Sequence, residues 1–227
     1  MESLVFRKLQ ADEIDCRVGT ATEKGVSLLM YKDARVDMRL LDEVVGCMNW
    51  KREHEIINGN LYCTVSIYNA VTKEWVSKQD VGVESNTEKE KGQASDAFKR
   101  ACFNWGIGRE LYTCPFVWVT LRDDEWRFGT NGKKSPKTSF KVTDIEYQDD
   151  KVSYLRIVDD KGVERFKWGF SAKQDKTVAA AIAEVKRCSD IRTLEAIYHK
   201  YSVTLSKSNE FISAVTARKN ELTNKAA

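Results

Sequence analysis

Residues 58–68, NGNLYCTVSIY, restrict the fold more than any other stretch of this chain. Asn58-Gly59 is a two-residue hairpin signal, because both residue types tolerate the positive φ that a tight turn between twisted strands requires. Beyond it, Leu61, Cys63, Val65 and Ile67 alternate with Tyr62, Thr64, Ser66 and Tyr68, the period of a strand with one apolar face. Partner strands are predicted over 50–57 and, past a turn near Thr72-Lys73, over about 74–82, making an antiparallel meander. An apolar sheet face needs a cover, and the period changes directly downstream to supply one. Within 87–106, Ala94, Ala97, Phe98, Ala101, Cys102 and Trp105 recur at the three- and four-residue spacing of a buried helical stripe. Thr87 and Glu90 form a capping-box pair, and Gly106 and Gly108 end the helix.

The remaining segments extend this pattern. Over 33–46, Val36, Leu40, Leu41, Val44 and Val45 share a helical face, with Asp33 at the N-cap and Gly46 at the stop. Residues 116–128 and 140–168 read as further strands, separated by GTNGKKSPKTS, a loop by composition. From 171 to 227 the period is helical again, through Val178, Ile182 and Val185, then Leu194, Ile197 and Tyr198, then Phe211, Ile212 and Val215. The expected class is α+β: an antiparallel meander packed on a long helix, further strands, and a helical C-terminal segment. The expected division is 1–170 and 171–227. No apolar run approaches the roughly 20 residues of a membrane span, and the first twenty residues carry acids and no apolar signal core, so a cytoplasmic protein is expected. Six cysteines without a C-x-x-C pair, and only two histidines, argue for free thiols and against zinc.

Net charge is +3, and its distribution says more than its sum. Residues 161–227 hold 13 Lys+Arg against 7 Asp+Glu, and the rest holds 24 against 27. A nucleic-acid binder with an acidic first part must gather its cations on one face. On the 87–106 helix, Lys91, Ser95 and Lys99 are spaced by four on the side away from the stripe, flanked by Arg100. Cations one turn apart match the spacing of successive phosphates on a strand. The same pattern fits a solvated helix face, with Asp96 pairing Arg100 at i,i+4. Gly106 and Gly108 would let Arg109 turn back toward the Lys99 and Arg100 face, to meet DNA or a neighbouring subunit. The 129–141 loop holds Lys133, Lys134, Lys137 and Lys141 and no acid, a second basic surface. Trp126, beside Arg122 and Arg127, is a candidate for base stacking.

The order of motifs is specific: YKDARV opening a helix, a Trp before a meander with an Asn-Gly turn, DVGVES, then EKGQASDAFKRACFNWGIGRELY. It resembles the Rad52 family of single-strand annealing proteins, and the ASDA-x-KRA and WGIGR-x-LY blocks look closest to its phage and prophage branch. The resemblance covers roughly residues 15–115 well. It implies single-stranded DNA held in a groove between a helical layer and the hairpin sheet, and subunits joined in a ring. By position it implies DNA contacts at Arg17, Arg35, Lys91, Ser95, Lys99 and Arg100, and at the aromatic Tyr31, with a one-residue ambiguity against Met30. Two family cations are replaced, by Phe103 and Asn60, which puts an outer second DNA site in doubt or rebuilds it from residues such as Lys133 and Lys134.

The implied activity is ATP-independent annealing of complementary strands in phage-type recombination and repair, with no catalytic residue and no cofactor. The implied partners are single-stranded DNA, the annealed duplex intermediate, further copies in a ring or helical filament, and a phage exonuclease or host single-strand-binding protein. There is no G-x-x-x-x-G-K-[ST] nucleotide loop. Two other classes stand beside this: a protein that coats single strands without annealing them, and a metal-dependent nuclease built on Asp159, Glu164 and Lys167.

Overall fold

A computed structural model describes residues 4–83, 89–128, 134–206 and 208–225. The chain forms two compact units, 1–169 and 170–227. In the first, β1 (Asp15–Thr22) and β2 (Gly25–Tyr31) form an antiparallel pair, followed by α1 (Ala34–Val45). The meander is β3 (Trp50–Ile57), β4 (Asn60–Asn69) and β5 (Glu74–Val81), with α2 (Lys89–Asn104) after it. Asn58 and Gly59 both have positive φ, 51° and 79°, as the hairpin signal requires. The two short strands β6 (Val117–Thr120) and β7 (Trp126–Phe128) lead to β8 (Lys134–Pro136), then β9 (Phe140–Gln148), β10 (Lys151–Asp159) and β11 (Glu164–Gly169).

The class is mixed α+β, as the patterning predicts, with the meander packed on α2. A six-stranded sheet runs in the order β11-β10-β9-β1-β2-β6, and β7 and β8 form a separate two-stranded ribbon. Three strands were not legible in the pattern. Every residue of β1 but the half-buried Cys16 is exposed, so no alternation marks the β1–β2 pair. The β8 strand falls within the segment expected as loop, because Trp126 pairs with Pro136 and Phe128 with Lys134. The six-stranded sheet curls until its edges face each other: Arg165 of β11 donates to the carbonyl of Thr120 on β6 at 3.0 Å.

One core runs through this unit. Cys63, Val65 and Ile67 of β4 meet Ala97, Phe98, Ala101 and Cys102 of α2, all buried. From α1, Val36, Leu40 and Leu41 join them, whereas Val44 stands at the exposed margin and Val45 packs half-buried. Asp33 caps α1 by accepting from the Arg35 amide at 2.8 Å, and Gly46 ends it. Trp50 joins three elements: its indole donates to Asp42 of α1 at 2.7 Å and its ring lies 6.1 Å from that of Phe98. The expected Thr87 cap lies outside the described residues.

The second unit is three helices, α3 (Ala172–Arg187), α4 (Ile191–Leu205) and α5 (Asn209–Lys225), around a core of its own with Val185, Leu194, Leu205 and Phe211. Among the described residues no helix is long and apolar enough to cross a membrane. All six cysteines are free, and burial pushes the Cys63 and Cys114 thiols up to about 11.

Phe98 is fully buried at the centre of the helix-on-sheet contact. Truncating it removes apolar contacts and leaves a cavity, so Phe98→Ala is expected to lower unfolding stability by about 3–5 kcal/mol, read from equilibrium urea unfolding followed by circular dichroism.

Candidate nucleic-acid interface

The helix α2 is held on the meander by its stripe and by a polar fringe. Arg52 places its guanidinium 4.7 Å from the Phe98 ring centroid, and the His54 ring lies 3.1 Å from the Ala94 carbonyl. Lys78 donates to the Asn104 carbonyl at 2.8 Å while lying over the Trp105 ring. The Trp105 indole donates to the Val65 carbonyl at 3.0 Å, so Trp105 is a packing residue, as its place on the stripe predicts. The orientation of α2 about its axis is therefore fixed. Consecutive helical residues lie about 100° apart, and the two central cations consequently face different neighbours.

Lys99 is half-buried and faces the start of α1. Its charge is felt by Asp33 and by Asp37, and it makes no ion pair within 4 Å among the described residues. Arg100 is exposed and reaches β5 instead, donating to Asp80 at 3.1 Å. The i,i+4 pair expected between Asp96 and Arg100 is not formed. Asp96 accepts from the Val83 amide at 3.0 Å, tying the end of the meander to the helix. Ser95 lies half-buried one turn before Lys99, and Lys91 is exposed a turn earlier still.

Around Lys99 the structure gathers three of the other expected residues. Arg17, on β1, places its guanidinium 6.0 Å from the ring of Tyr31, the last residue of β2. Tyr31 is surface-exposed, whereas Met30 packs against the core, so the aromatic available to a ligand is Tyr31. Burial is the main reason the Tyr31 hydroxyl is held above its ordinary pKa. Arg35 is exposed and folds back on Asp33 at 2.8 Å. That contact, then the hydrogen bond accepted from the Arg35 amide, and the charges of Arg35 and Lys99 hold the Asp33 carboxyl below its ordinary value. Arg17, Tyr31, Arg35 and Lys99 thus form one rim where β2, α1 and α2 meet, with Asp33 at its centre.

Arg109 does turn back, but onto the end of its own helix. It donates to the carbonyls of Phe103 at 2.8 Å and Asn104 at 2.9 Å. Lys134 is exposed on the β7–β8 ribbon, away from this rim in the chain order, and Lys133 lies outside the described residues. Trp126 is only 4% exposed and is not available to stack on a base. Asp159, expected in the nuclease alternative, accepts from the Lys161 and Val163 amides and from Arg165, which uses it to close the β10–β11 turn. Glu164 pairs with Arg156 and Lys167 lies over Tyr154, so the three do not converge.

Sequence reasoning missed the pair beneath the rim. Lys32 is 6% exposed and Asp37 is fully buried, and the two form an ion pair. The stem of Lys32 runs over Gly108, whose φ is 76°, and a Cβ there would overlap the lysine Cε. Burial lifts the Asp37 carboxyl to about 6, against the pull of Lys32 and Lys99, and its second oxygen has no hydrogen-bond partner among the described residues. Nothing in YKDARV marks Lys32 as buried; the one signal was the proximity of a lysine and an aspartate five residues apart across a helix start. Asp33 and Asp80, which neutralise Arg35 and Arg100, were also unassigned as partners.

Residues 1–127 match the Rad52/22 family of double-strand break repair proteins, and the chain belongs to that family. Among curated relatives it is similar to the single-stranded DNA-binding protein DdrA of Deinococcus deserti, 37% identical over 99 residues that cover 42% of this chain and 47% of the relative. It is similar also to DdrA of Deinococcus radiodurans, 36% identical over 98 residues, covering 42% of this chain and 46% of that one. The aligned part spans about half the length of these relatives.

Two outcomes are expected from the buried pair. Gly108→Ala forces a side chain into the left-handed region and against a lysine whose far end is held. It should cost more stability than Gly106→Ala, where a Cβ meets nothing within 4 Å, in parallel thermal melts. The folded protein keeps a proton on Asp37 over a range where the unfolded chain, near its ordinary 3.8, has released it. The Asp37 contribution to stability should therefore fall as pH rises from about 4 to about 6, by up to about 1.4 kcal/mol per pH unit. Asp37→Asn should remove that slope in urea unfolding curves taken across the interval.

Proposed function

We propose that this chain binds single-stranded DNA without sequence preference and anneals complementary strands without nucleotide hydrolysis. The observation that carries the reading is the Arg17–Tyr31–Arg35–Lys99 rim at the junction of β2, α1 and α2, in a member of the Rad52/22 family. Three cations offer phosphate contacts, which give affinity that falls with salt and carries no sequence information. Tyr31 offers a ring for a base. Asp33 and Asp80 hold the Arg35 and Arg100 guanidinium groups in place, and a phosphate presents the same pair of oxygens that each carboxylate does. Binding exchanges one anionic partner for another with the cations already positioned.

Lys91, Ser95 and Arg100 extend the contact along α2, and Arg109 fixes the end of the helix that presents them. Lys134, exposed on the β7–β8 ribbon, is a further candidate contact, and Lys133 is one by sequence position alone. Residues 1–170 form the annealing domain and 171–227 a helical appendage. Copies assemble in a ring or helical filament, so that modest contacts per subunit add by avidity. Within the family the chain sits with the phage and prophage branch, on its ASDA–WGIGR block, and acts in the bacterial cytoplasm beside an exonuclease or a single-strand-binding protein.

The test is binding and annealing of complementary oligonucleotides without nucleotide, for the parent and for Lys99→Ala with Arg100→Ala. The double variant should keep its circular dichroism and its oligomeric size while losing binding at least thirtyfold and losing annealing with it, on the order of 1–2 kcal/mol per phosphate contact removed. A variant that binds and anneals like the parent would overturn the groove. A parent that binds strands but does not speed their annealing would establish the coating protein instead.

A further inference from the structure

We propose that Asp33 and Asp80 are built-in competitors for the DNA phosphates, which keep a bound strand exchangeable by offering Arg35 and Arg100 an alternative partner. This rests on the reading above that those arginines contact single strands, and adds a role for two residues that need not touch the strand.

The ion pairs of the first unit differ in how readily they open. The Arg165 side chain is 12% exposed and lies between Glu125, Asp159 and the Thr120 carbonyl, and the Lys32–Asp37 pair is buried. Opening either would leave a charge out of water without its partner, so both are architectural. The Arg35–Asp33 and Arg100–Asp80 pairs are of another kind. The arginine side chains are 81% and 45% exposed, so each guanidinium can leave its carboxylate at small cost. The carboxylate is not orphaned when the arginine departs. Asp33 still accepts from the Arg35 amide at 2.8 Å as the N-cap of α1. Asp80 still accepts from the Val81 amide at 2.8 Å and from the Asn104 side chain at 3.3 Å. Both carboxylates are therefore held in place by other donors, while the arginines are free to change partner.

The competition is for the same donor atoms. Arg35 presents Nε and one Nη to the two Asp33 oxygens at 2.8 and 3.3 Å, the forked geometry in which a guanidinium also takes a phosphate. It can serve one of the two at a time. A third acid adds to the balance: Asp15 stands opposite Tyr31 in the β1–β2 register, and its charge is felt by Arg35. Arg17, Arg35, Lys99 and Arg100 are thus interleaved with Asp15, Asp33 and Asp80. A surface that only gripped phosphates would bind more tightly without these acids. Annealing requires more than grip. A held strand must shift along its complement until the register matches, so each phosphate contact must break as readily as it forms. Differences in affinity within one interface lie mostly in the dissociation rate, which is the step a local competitor speeds.

The experiment follows dissociation of fluorescent oligo(dT) from the full chain by stopped flow, after addition of excess unlabelled oligo(dT), with equilibrium anisotropy alongside. Asp33→Asn keeps the helix cap, since Asn accepts the same amide bond, and Asp80→Asn keeps an acceptor oxygen; the circular dichroism of both should match the parent. Each should slow dissociation and tighten binding about threefold, the scale of one exposed ion pair. The gain should vanish for Asp33→Asn in an Arg35→Ala background and for Asp80→Asn in an Arg100→Ala background, because it acts through those guanidinium groups. Asp150→Asn makes the same change in net charge and frees Lys8 at the β9–β10 turn, and should bind like the parent. The double variant Asp33→Asn with Asp80→Asn should anneal complementary oligonucleotides more slowly than the parent at saturating protein. The proposal is overturned if the Asn variants dissociate at the parental rate, if the gain survives without the arginines or is matched by Asp150→Asn, or if the tighter double variant anneals as fast as the parent. If the Lys99 and Arg100 variant loses binding while the Asn variants behave like the parent, the competitor role fails and the groove stands. If the parent binds without annealing, the annealing reading fails and the dissociation rates decide the competitor role. If the parent binds no strand, both fail.

Discussion

The contact between α2 and the β3–β4–β5 meander fixes the placement of the functional groups in the first unit. Its apolar part is ordinary: Cys63, Val65 and Ile67 against Ala97, Phe98, Ala101 and Cys102. Its polar part does more to set direction. Arg52, His54, Lys78 and Asp80 all lie on the sheet face turned toward the helix, and each engages a group on α2. An apolar stripe alone permits a helix to roll by tens of degrees at small cost. Four polar contacts along both flanks do not, because a roll would separate each of these groups from its partner on the helix. With the roll fixed, Lys99 is committed to α1 and Arg100 to β5.

A second constraint sits under the rim. The Lys32–Asp37 pair lies where the end of β2, the first turn of α1 and the Gly108 turn converge. Buried ion pairs are poor sources of net stability, since desolvation offsets the Coulomb gain, but removing one partner is costly. Here the pair joins three segments that each carry a candidate contact: Tyr31 precedes Lys32, Arg35 precedes Asp37, and Arg109 follows Gly108. The WGIGRELY block is accordingly mostly architectural. Trp105 binds the Val65 carbonyl, Gly108 admits the Lys32 stem, Arg109 caps α2, and the buried Glu110 accepts from the Leu9 amide at 2.8 Å. A long ordered motif is a reliable sign of family without each of its residues touching the ligand.

The legibility of the chain follows from the range of the interactions involved. The meander, the stripe on α2, the Asp33 cap and the three C-terminal helices rest on contacts between residues one to four apart or on turn chemistry, and their patterns are visible in a window of a dozen residues. The β1–β2 pair escaped because its exposed side is unpatterned, and β8 because three strand residues inside a Gly- and Lys-rich stretch carry no period. Asp96 was the local candidate partner for Arg100. Asp80, twenty residues away, holds it instead, since the carboxylate of Asp96 is already engaged by the Val83 amide.

What the sequence determined by itself was the class of fold, the order of the meander and the helices, and the identity of the cations on α2. Those depend on periodicity and on residue type, which are local properties. Only the tertiary structure decided which cations share a surface, which are held by carboxylates, that Arg109 serves its own helix, and that Lys32 is buried while Phe128 is not. Each of those depends on the roll of α2 or on the approach of segments tens of residues apart. Such distances are set by the packing of the whole core, and no spacing within a single motif encodes them.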